Sequence, residues 1–184
     1  MIQKNKKTSK KPVSTETTFF FLSSILQKSE NFARHMDNQT SILVGLSAGL
    51  FVLSVSQIKP ENINFSFSFI PLLTLALFSL SSALVAIFAL IPPRFMRKKG
   101  QKESLLYNKE IVSLSSADQY AKELKEISSN LDNIIDQYAL EIYNICRYYY
   151  RPKRRLFKIS RELLCSGIFV SLAVLSVQFL LGIF

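Results

Sequence analysis

Long apolar stretches alternate with polar, charge-rich segments along this chain. Residues 41–58 form a run of eighteen without a charged side chain, and two further charge-free runs cover residues 70–91 and 163–184. A helix rises about 1.5 Å per residue, so each run is long enough to cross the roughly 30 Å hydrocarbon core of a bilayer. The pattern therefore predicts an all-α membrane protein with three transmembrane helices at these positions.

The segments before and between these runs have patterns of their own. Residues 1–16 are polar and rich in lysine, which is typical of a disordered tail, and residues 59–69 are short enough for a simple external loop. Residues 17–36 carry apolar side chains at three- and four-residue steps, as in an amphipathic helix. Such a helix can lie on the inner leaflet or pack on the cytoplasmic part of the protein, and the pattern does not choose between the two.

A helical region is expected over residues 92–162, between the second and third runs. Ser116 stands three residues before Gln119, which predicts the capped start of a first helix. A second helix carries a heptad-like apolar stripe made of Leu131, Ile134, Ile135, Tyr138, Ile142, Ile145 and Tyr149. This stripe suits packing against the first helix and also self-association. Pro152 lacks a backbone N–H and is expected to kink or break the second helix near Tyr150.

The distribution of charge predicts the orientation in the membrane. The chain has 23 lysine and arginine residues and a net charge of +10, but only Lys59 among these cations falls in the loop of residues 59–69. Because positively charged segments stay on the cytoplasmic side, we expect the N-terminus and residues 92–162 in the cytoplasm and the C-terminus outside. The cations crowd beside the apolar runs, where they meet anionic lipid, so nucleic acid is not an expected partner.

Residues that build common catalytic and metal sites are scarce. His35 is the only histidine, and Cys146 and Cys165 form no Cys-x-x-Cys motif. We therefore expect no metal, no cofactor and no catalytic residue, and predict that the protein is not an enzyme. The three apolar runs also contain no Asp, Glu, Lys, Arg or His, which argues against an ion-coupled transporter.

Small residues in the apolar runs predict close helix packing. Ser41, Gly45 and Gly49 follow one another at four-residue steps, and Gly167 and Ser171 have the same spacing in the third run. Such faces pack helices within one chain or between chains. Because three helices are too few to surround a water-filled path, any pore requires a homo-oligomer.

The order of these features resembles that of the Pycsar effector family, the small bacterial transmembrane effectors of pyrimidine cyclic-nucleotide antiphage defence. Members of that family enter the first span through a polar segment with an aspartate. Residues 36–41 match this segment with Asp37, although Gln39 stands where a lysine is usual. The similarity continues in the apolar strip of residues 104–107, the Leu-Ser helix entry of residues 111–115 with Tyr120, and the closing helix with Ile134, Ile135, Tyr138, Ile142 and residues 153–156.

This resemblance implies a dormant multi-pass protein of the bacterial inner membrane. When a cognate nucleotide cyclase encoded nearby answers infection, cCMP or cUMP would trigger its oligomer to disrupt or permeabilise the lipid bilayer, which causes growth arrest or abortive infection. Two alternatives stay open. One is a membrane effector of another nucleotide-signalled defence system, gated by a different ligand or partner, and the other is a membrane scaffold that forms no pore.

Two groups of residues are candidates for the switching site. A basic and aromatic cluster before the third run suits an anionic nucleotide with a pyrimidine base, and its members are Arg147, Tyr149, Arg151, Lys153, Arg154 and Arg155. The same residues suit a juxtamembrane anchor at the level of the lipid headgroups. Asp37 is expected either to cap the start of the first span or to act as a latch that pairs with residues 151–155 at rest and releases them on activation.

Overall fold

The computed structural model describes residues 14–58, 69–91, 104–106, 114 and 116–182. These residues form the helices α1 (Thr15–Ser56), α2 (Ile70–Leu90), α3 (Ala117–Ser128), α4 (Leu131–Asn144) and α5 (Arg151–Leu180). A π-helical segment, Ile145–Tyr150, joins α4 to α5, so one helix runs from Leu131 to Leu180. Three helices of the described chain are long and apolar enough to cross a membrane, and the prediction of an all-helical membrane protein is confirmed to that extent.

Several predictions concern residues outside this description. The expected tail falls largely on residues 1–13, the expected external loop on residues 59–68, and the basic segment after the second run on residues 92–103. The orientation of the chain in the membrane stays a prediction.

α1 joins two segments that the sequence pattern separates. An amphipathic helix over residues 17–36 and a span over residues 41–58 were expected, whereas α1 runs without a break from Thr15 to Ser56. The intervening residues contain neither glycine nor proline. Thr40 donates its hydroxyl to the carbonyl oxygen of Met36 at 2.7 Å, so this polar side chain bonds to the helix without interrupting it.

The residues cluster into two compact units. The first comprises residues 1–29 with 103–142, and the second comprises residues 30–102 with 143–184. In the first unit the N-terminal part of α1 groups with the helical region.

Helix boundaries in the first unit follow the sequence signals. The hydroxyl oxygen of Ser116 accepts a hydrogen bond from the backbone N–H of Gln119 at 3.2 Å, so the predicted cap of α3 is confirmed. α3 ends at Ser128, and the side-chain oxygen of Asn130 then accepts from the backbone N–H of Asp132 at 3.0 Å, where α4 begins. The run of short polar residues thus ends one helix and starts the next.

The apolar strip after the second span docks on α4. The Ser104 hydroxyl is fully buried and donates to the carboxylate of Glu141, which is itself buried. The next residue, Leu105, donates its backbone N–H to the side-chain oxygen of Gln137 at 3.0 Å. Two polar side chains one helical turn apart on α4 therefore hold this strip in place.

In the second unit α2 packs antiparallel to α5 through small side chains. The buried residues of α2 are Pro71, Ala76, Ser79, Ser82, Ala83, Ala86 and Ala89. Those of α5 recur mostly at three-, four- or seven-residue steps, and are Lys153, Ser160, Leu164, Gly167, Ser171 and Gln178. A Cβ atom on Gly167 would collide with Cβ of Phe78, so the two helices approach closely only because this residue is glycine.

A cluster of three serines ties α1, α2 and α5 together. The Ser82 hydroxyl donates to the carbonyl oxygen of Ser160 at 2.8 Å, and the Ser160 hydroxyl returns a bond of 2.8 Å to the carbonyl oxygen of Ser82. The hydroxyl of Ser47 on α1 lies 3.0 Å from that of Ser82. All three side chains are fully buried. Hydroxyl groups inside an apolar bundle need such partners, because an unpaired one carries its full desolvation cost.

Replacement of Gly167 by alanine should destabilise the second unit. The added Cβ collides with Phe78, and overpacking of this kind costs about 1–3 kcal/mol. Gly49→Ala is the matched control, because a Cβ there meets nothing within 4 Å and should even favour the helix. Thermal unfolding in mild detergent measures both variants. Equal midpoints for the two variants would contradict the close approach of α2 and α5.

Candidate functional site

A buried lysine lies in the seam of the second unit. The side chain of Lys153 is only 2% exposed, although it belongs to a segment in which its basic neighbours Arg151, Arg154 and Arg155 are all exposed. It lies seven residues before Ser160, on the side of α5 that carries the buried seam. A buried ammonium group is costly unless it is paired, so its partners define this site.

Asp37 and Tyr149 are these partners. The ammonium nitrogen Nζ of Lys153 lies 2.5 Å from Oδ1 of Asp37 and 2.8 Å from the hydroxyl oxygen of Tyr149. That hydroxyl in turn donates to Oδ2 of Asp37 over a longer 3.4 Å. Nζ also lies 4.0 Å from the centre of the Tyr149 ring, within the range of a cation–π contact. The three side chains link α1 to α5 through the π segment.

The two charges of this pair differ in their access to water. Asp37 is 33% exposed, whereas Lys153 is 2% exposed. Loss of Asp37 would leave a buried, uncompensated cation, which typically costs 3–5 kcal/mol. Loss of the lysine charge would leave a carboxylate that water can reach, so the cost should be smaller.

The π segment places Tyr149 beside Lys153. Pro152 has no N–H and crowds the carbonyl four residues before it, which is the reason a kink or break was expected near Tyr150. The helix instead widens in the preceding turn, where the backbone N–H of Arg151 bonds the carbonyl of Cys146, five residues back. The irregularity falls where it was expected, but the helix continues through it. π-Helical turns of this kind frequently occur at functional sites.

The structure separates the residues of the predicted nucleotide cluster. Arg147, Arg151, Arg154 and Arg155 are exposed and free to meet an anion or lipid headgroups. Lys153 is instead paired with Asp37, and the Tyr149 hydroxyl accepts a hydrogen bond from the same ammonium group. Nearby, Tyr143 and Tyr148 form an edge-to-face pair with ring centres 5.9 Å apart.

Asp37 does not cap a helix start, because it lies in the interior of α1, where the backbone N–H groups already bond within the helix. It does contact one member of the 151–155 segment, which is the geometry expected of a latch. Whether the contact opens on activation stays a prediction. Beside it, Gln39 bonds His35 at 3.0 Å on the exposed side of α1.

The small residues of the apolar runs divide into two groups. Gly167 and Ser171 lie in the buried seam, where the Ser171 hydroxyl donates to the carbonyl of Pro71 at 2.9 Å. Ser41, Gly45 and Gly49 are exposed, and a Cβ on either glycine would meet nothing within 4 Å. Within the described chain, the α1 group therefore packs against no neighbour.

Groups suited to metal binding are lacking in the residues that the structure describes. No three His, Cys, Asp or Glu side chains there lie close enough to hold a metal ion. Cys146 and Cys165 are both exposed and unpaired by a disulfide.

Comparison with known proteins identifies the family. The model of the Pycsar effector protein domain (PycTM) matches residues 21–182, which include Asp37, Tyr149, Lys153 and most of each apolar helix. No curated protein and no solved structure matches the chain. The matched family is one of membrane effectors and is not a known enzyme family. The match spans nearly the whole sequence, so this chain belongs to the Pycsar effector family, as the resemblance of its motifs indicated.

Proposed function

We propose that this protein is an antiphage-defence effector that permeabilises the bacterial inner membrane as an oligomer when cCMP or cUMP accumulates. Family membership implies a membrane effector of cyclic-nucleotide defence, and three apolar helices supply the membrane part. The observation that carries the mechanism is the buried Lys153–Asp37 pair, because a paired charge between two membrane helices is a contact that a signal can open.

The pair suits a resting latch for a physical reason. Charge pairs of this burial are held by mutual attraction against a large desolvation cost, so a small shift of α5 relative to α1 lets water solvate both groups. The contact then has two distinct states, closed and hydrated, rather than a continuum. Its position beside the π segment and Pro152 places it where the helix is already irregular.

The exposed arginines next to the latch are the proposed binding site for the nucleotide phosphate. Guanidinium groups bind phosphate through paired hydrogen bonds, and Arg147, Arg151, Arg154 and Arg155 are exposed within two turns of Lys153. The Tyr143–Tyr148 pair supplies aromatic surface on which a pyrimidine can stack. A phosphate bound here competes with the Asp37 carboxylate for the positive charges of this segment. Binding of the nucleotide is thereby linked to release of the Asp37–Lys153 contact.

The oligomer is proposed to form through α1. Ser41, Gly45 and Gly49 present an exposed small-residue face at the four-residue spacing that favours close helix contacts in membranes. Since Gly167 and Ser171 of α5 already pack against α2, the small-residue face of α1 is the one that we assign to contact with a second copy.

The proposed activity is testable with purified protein in vesicles of phosphatidylethanolamine and phosphatidylglycerol. We expect cCMP or cUMP, but not cGMP, to release a trapped dye. The double variant R151Q R154Q should weaken this response, because it removes two exposed phosphate-binding groups. K122Q K125Q, which changes two exposed lysines of α3, is the matched control. Folded protein that releases no dye with either pyrimidine nucleotide would contradict the proposed trigger.

The latch predicts different outcomes for its two charged residues. Lys153→Met keeps the volume and removes the buried charge, so it should yield folded protein that depolarises cells without a cyclase. Asp37→Ala should lower the folded yield, because it strands the buried ammonium at a cost of about 3–5 kcal/mol. Asn38→Ala, an exposed neighbour, is the control. Membrane-potential dye and yield in detergent are the readouts. A folded, silent K153M protein would limit the pair to a structural role.

A further inference from the structure

Two contacts fix how α2 and α5 of the second unit are aligned along their axes. Two contacts join α2 to α5, Ser82 to Ser160 and Pro71 to Ser171. Pro71 and Ser82 are eleven residues apart on α2, and Ser160 and Ser171 are eleven residues apart on α5. The two helices therefore run antiparallel and keep the same register over about 16 Å. The position of any residue of α5 beside α2 follows by counting from Ser160.

The apolar runs of α1 and α2 coincide in this register. Ser47 contacts Ser82. On α1 the charge-free run of residues 41–58 begins six residues before Ser47 and ends eleven residues after it. The same numbers of residues, counted from Ser82 in the opposite direction along α2, reach Phe88 and Pro71. These limits fall within three residues of the ends of the α2 run at residues 70–91. We take the coinciding apolar runs of the two helices as one membrane layer.

α5 is displaced relative to this layer. Counted from Ser160, the layer covers residues 154–171 of α5, whereas its charge-free run begins only at Leu163. Five charged residues fall inside the layer, namely Arg154, Arg155, Lys158, Arg161 and Glu162. Arg161 lies seven residues, or about 10 Å, from the nearer limit, which places it close to the middle of the bilayer.

These charges lie on the face of α5 that points away from the seam. Lys158 and Glu162 are 67% and 58% exposed and form an ion pair at 3.6 Å, and Arg161 is exposed without an ion pair to any described residue. A charge at the centre of a bilayer costs at least about 2.5–3.5 kcal/mol when it faces lipid. Arg154 can reach the headgroups because it lies at the limit of the layer, but Arg161 is too deep to do so easily.

We propose that this face of α5 lines a water-filled path between copies of the chain, and that the path prefers anions. The inference rests on the proposed oligomeric permeabilisation and assigns its lining. Lys158 and Arg161 outweigh Glu162 on the face, so each copy contributes net positive charge to the path. One turn beyond Arg161 the face continues with Cys165, which is exposed. Hydration of this face removes the cost of holding its charges in lipid.

Ion selectivity tests the lining charge. In vesicles that leak after addition of cCMP or cUMP, the reversal potential in a KCl gradient should indicate that chloride permeates better than potassium. Arg161→Gln should lower the chloride-to-potassium ratio by roughly twofold or more, because it removes a charge near the axis of the path. Lys125→Gln, on the exposed surface of α3, should leave the ratio unchanged. A leak without chloride preference, or one that R161Q does not alter, overturns the proposal.

Thiol accessibility tests the same face independently of selectivity. In a Cys146→Ser protein, Cys165 is the remaining thiol. A negatively charged methanethiosulfonate added to leaking vesicles should modify Cys165, because only a thiol in contact with water forms the reactive thiolate. Leaking vesicles in which Cys165 stays unmodified show that this face meets lipid, and they overturn the lining while leaving permeabilisation intact. Folded protein that neither leaks nor reacts overturns both proposals.

Discussion

The ammonium group of Lys153 is the constraint on which the second unit depends. It is buried in the seam of α5, and its charge is tolerated there because Asp37 and Tyr149 surround it. This pairing requires α1 to continue unbroken past the polar segment into the membrane, and it requires the π segment to bring Tyr149 onto the same side as the lysine. The features that make the site unusual, a continuous α1 and a widened turn before Pro152, are thus the features that satisfy one charge.

Above this pair, the packing of the helices sets their register. The Gly167–Phe78 approach and the paired bonds between Ser82 and Ser160 leave little freedom for α5 to slide along α2. Counted from these contacts, the apolar run of α5 is displaced along its helix relative to the runs of α1 and α2.

Sequence patterns anticipated the helices, the cap at Ser116 and the family, because each rests on local periodicity or on short motifs. They missed the fusion of the first two segments into α1, since a polar stretch resembles a boundary when its partners on another helix are unknown. They grouped Lys153 with the exposed arginines. The seven-residue spacing of Lys153, Ser160 and Gly167 was the signal that could have separated it. The displacement of α5 depends on contacts between helices, which one-dimensional hydropathy does not contain.

A double-mutant cycle measures whether Asp37 and Lys153 stabilise the second unit through their mutual contact. Unfolding free energies of the wild type, Asp37→Ala, Lys153→Ala and the double variant would be measured in the same detergent. A stabilising contact should give a coupling of roughly 0.5–3 kcal/mol, and the double variant should be more stable than Asp37→Ala alone because the buried cation is gone. Effects that add to within about 0.3 kcal/mol would contradict it, since independent residues behave in that way.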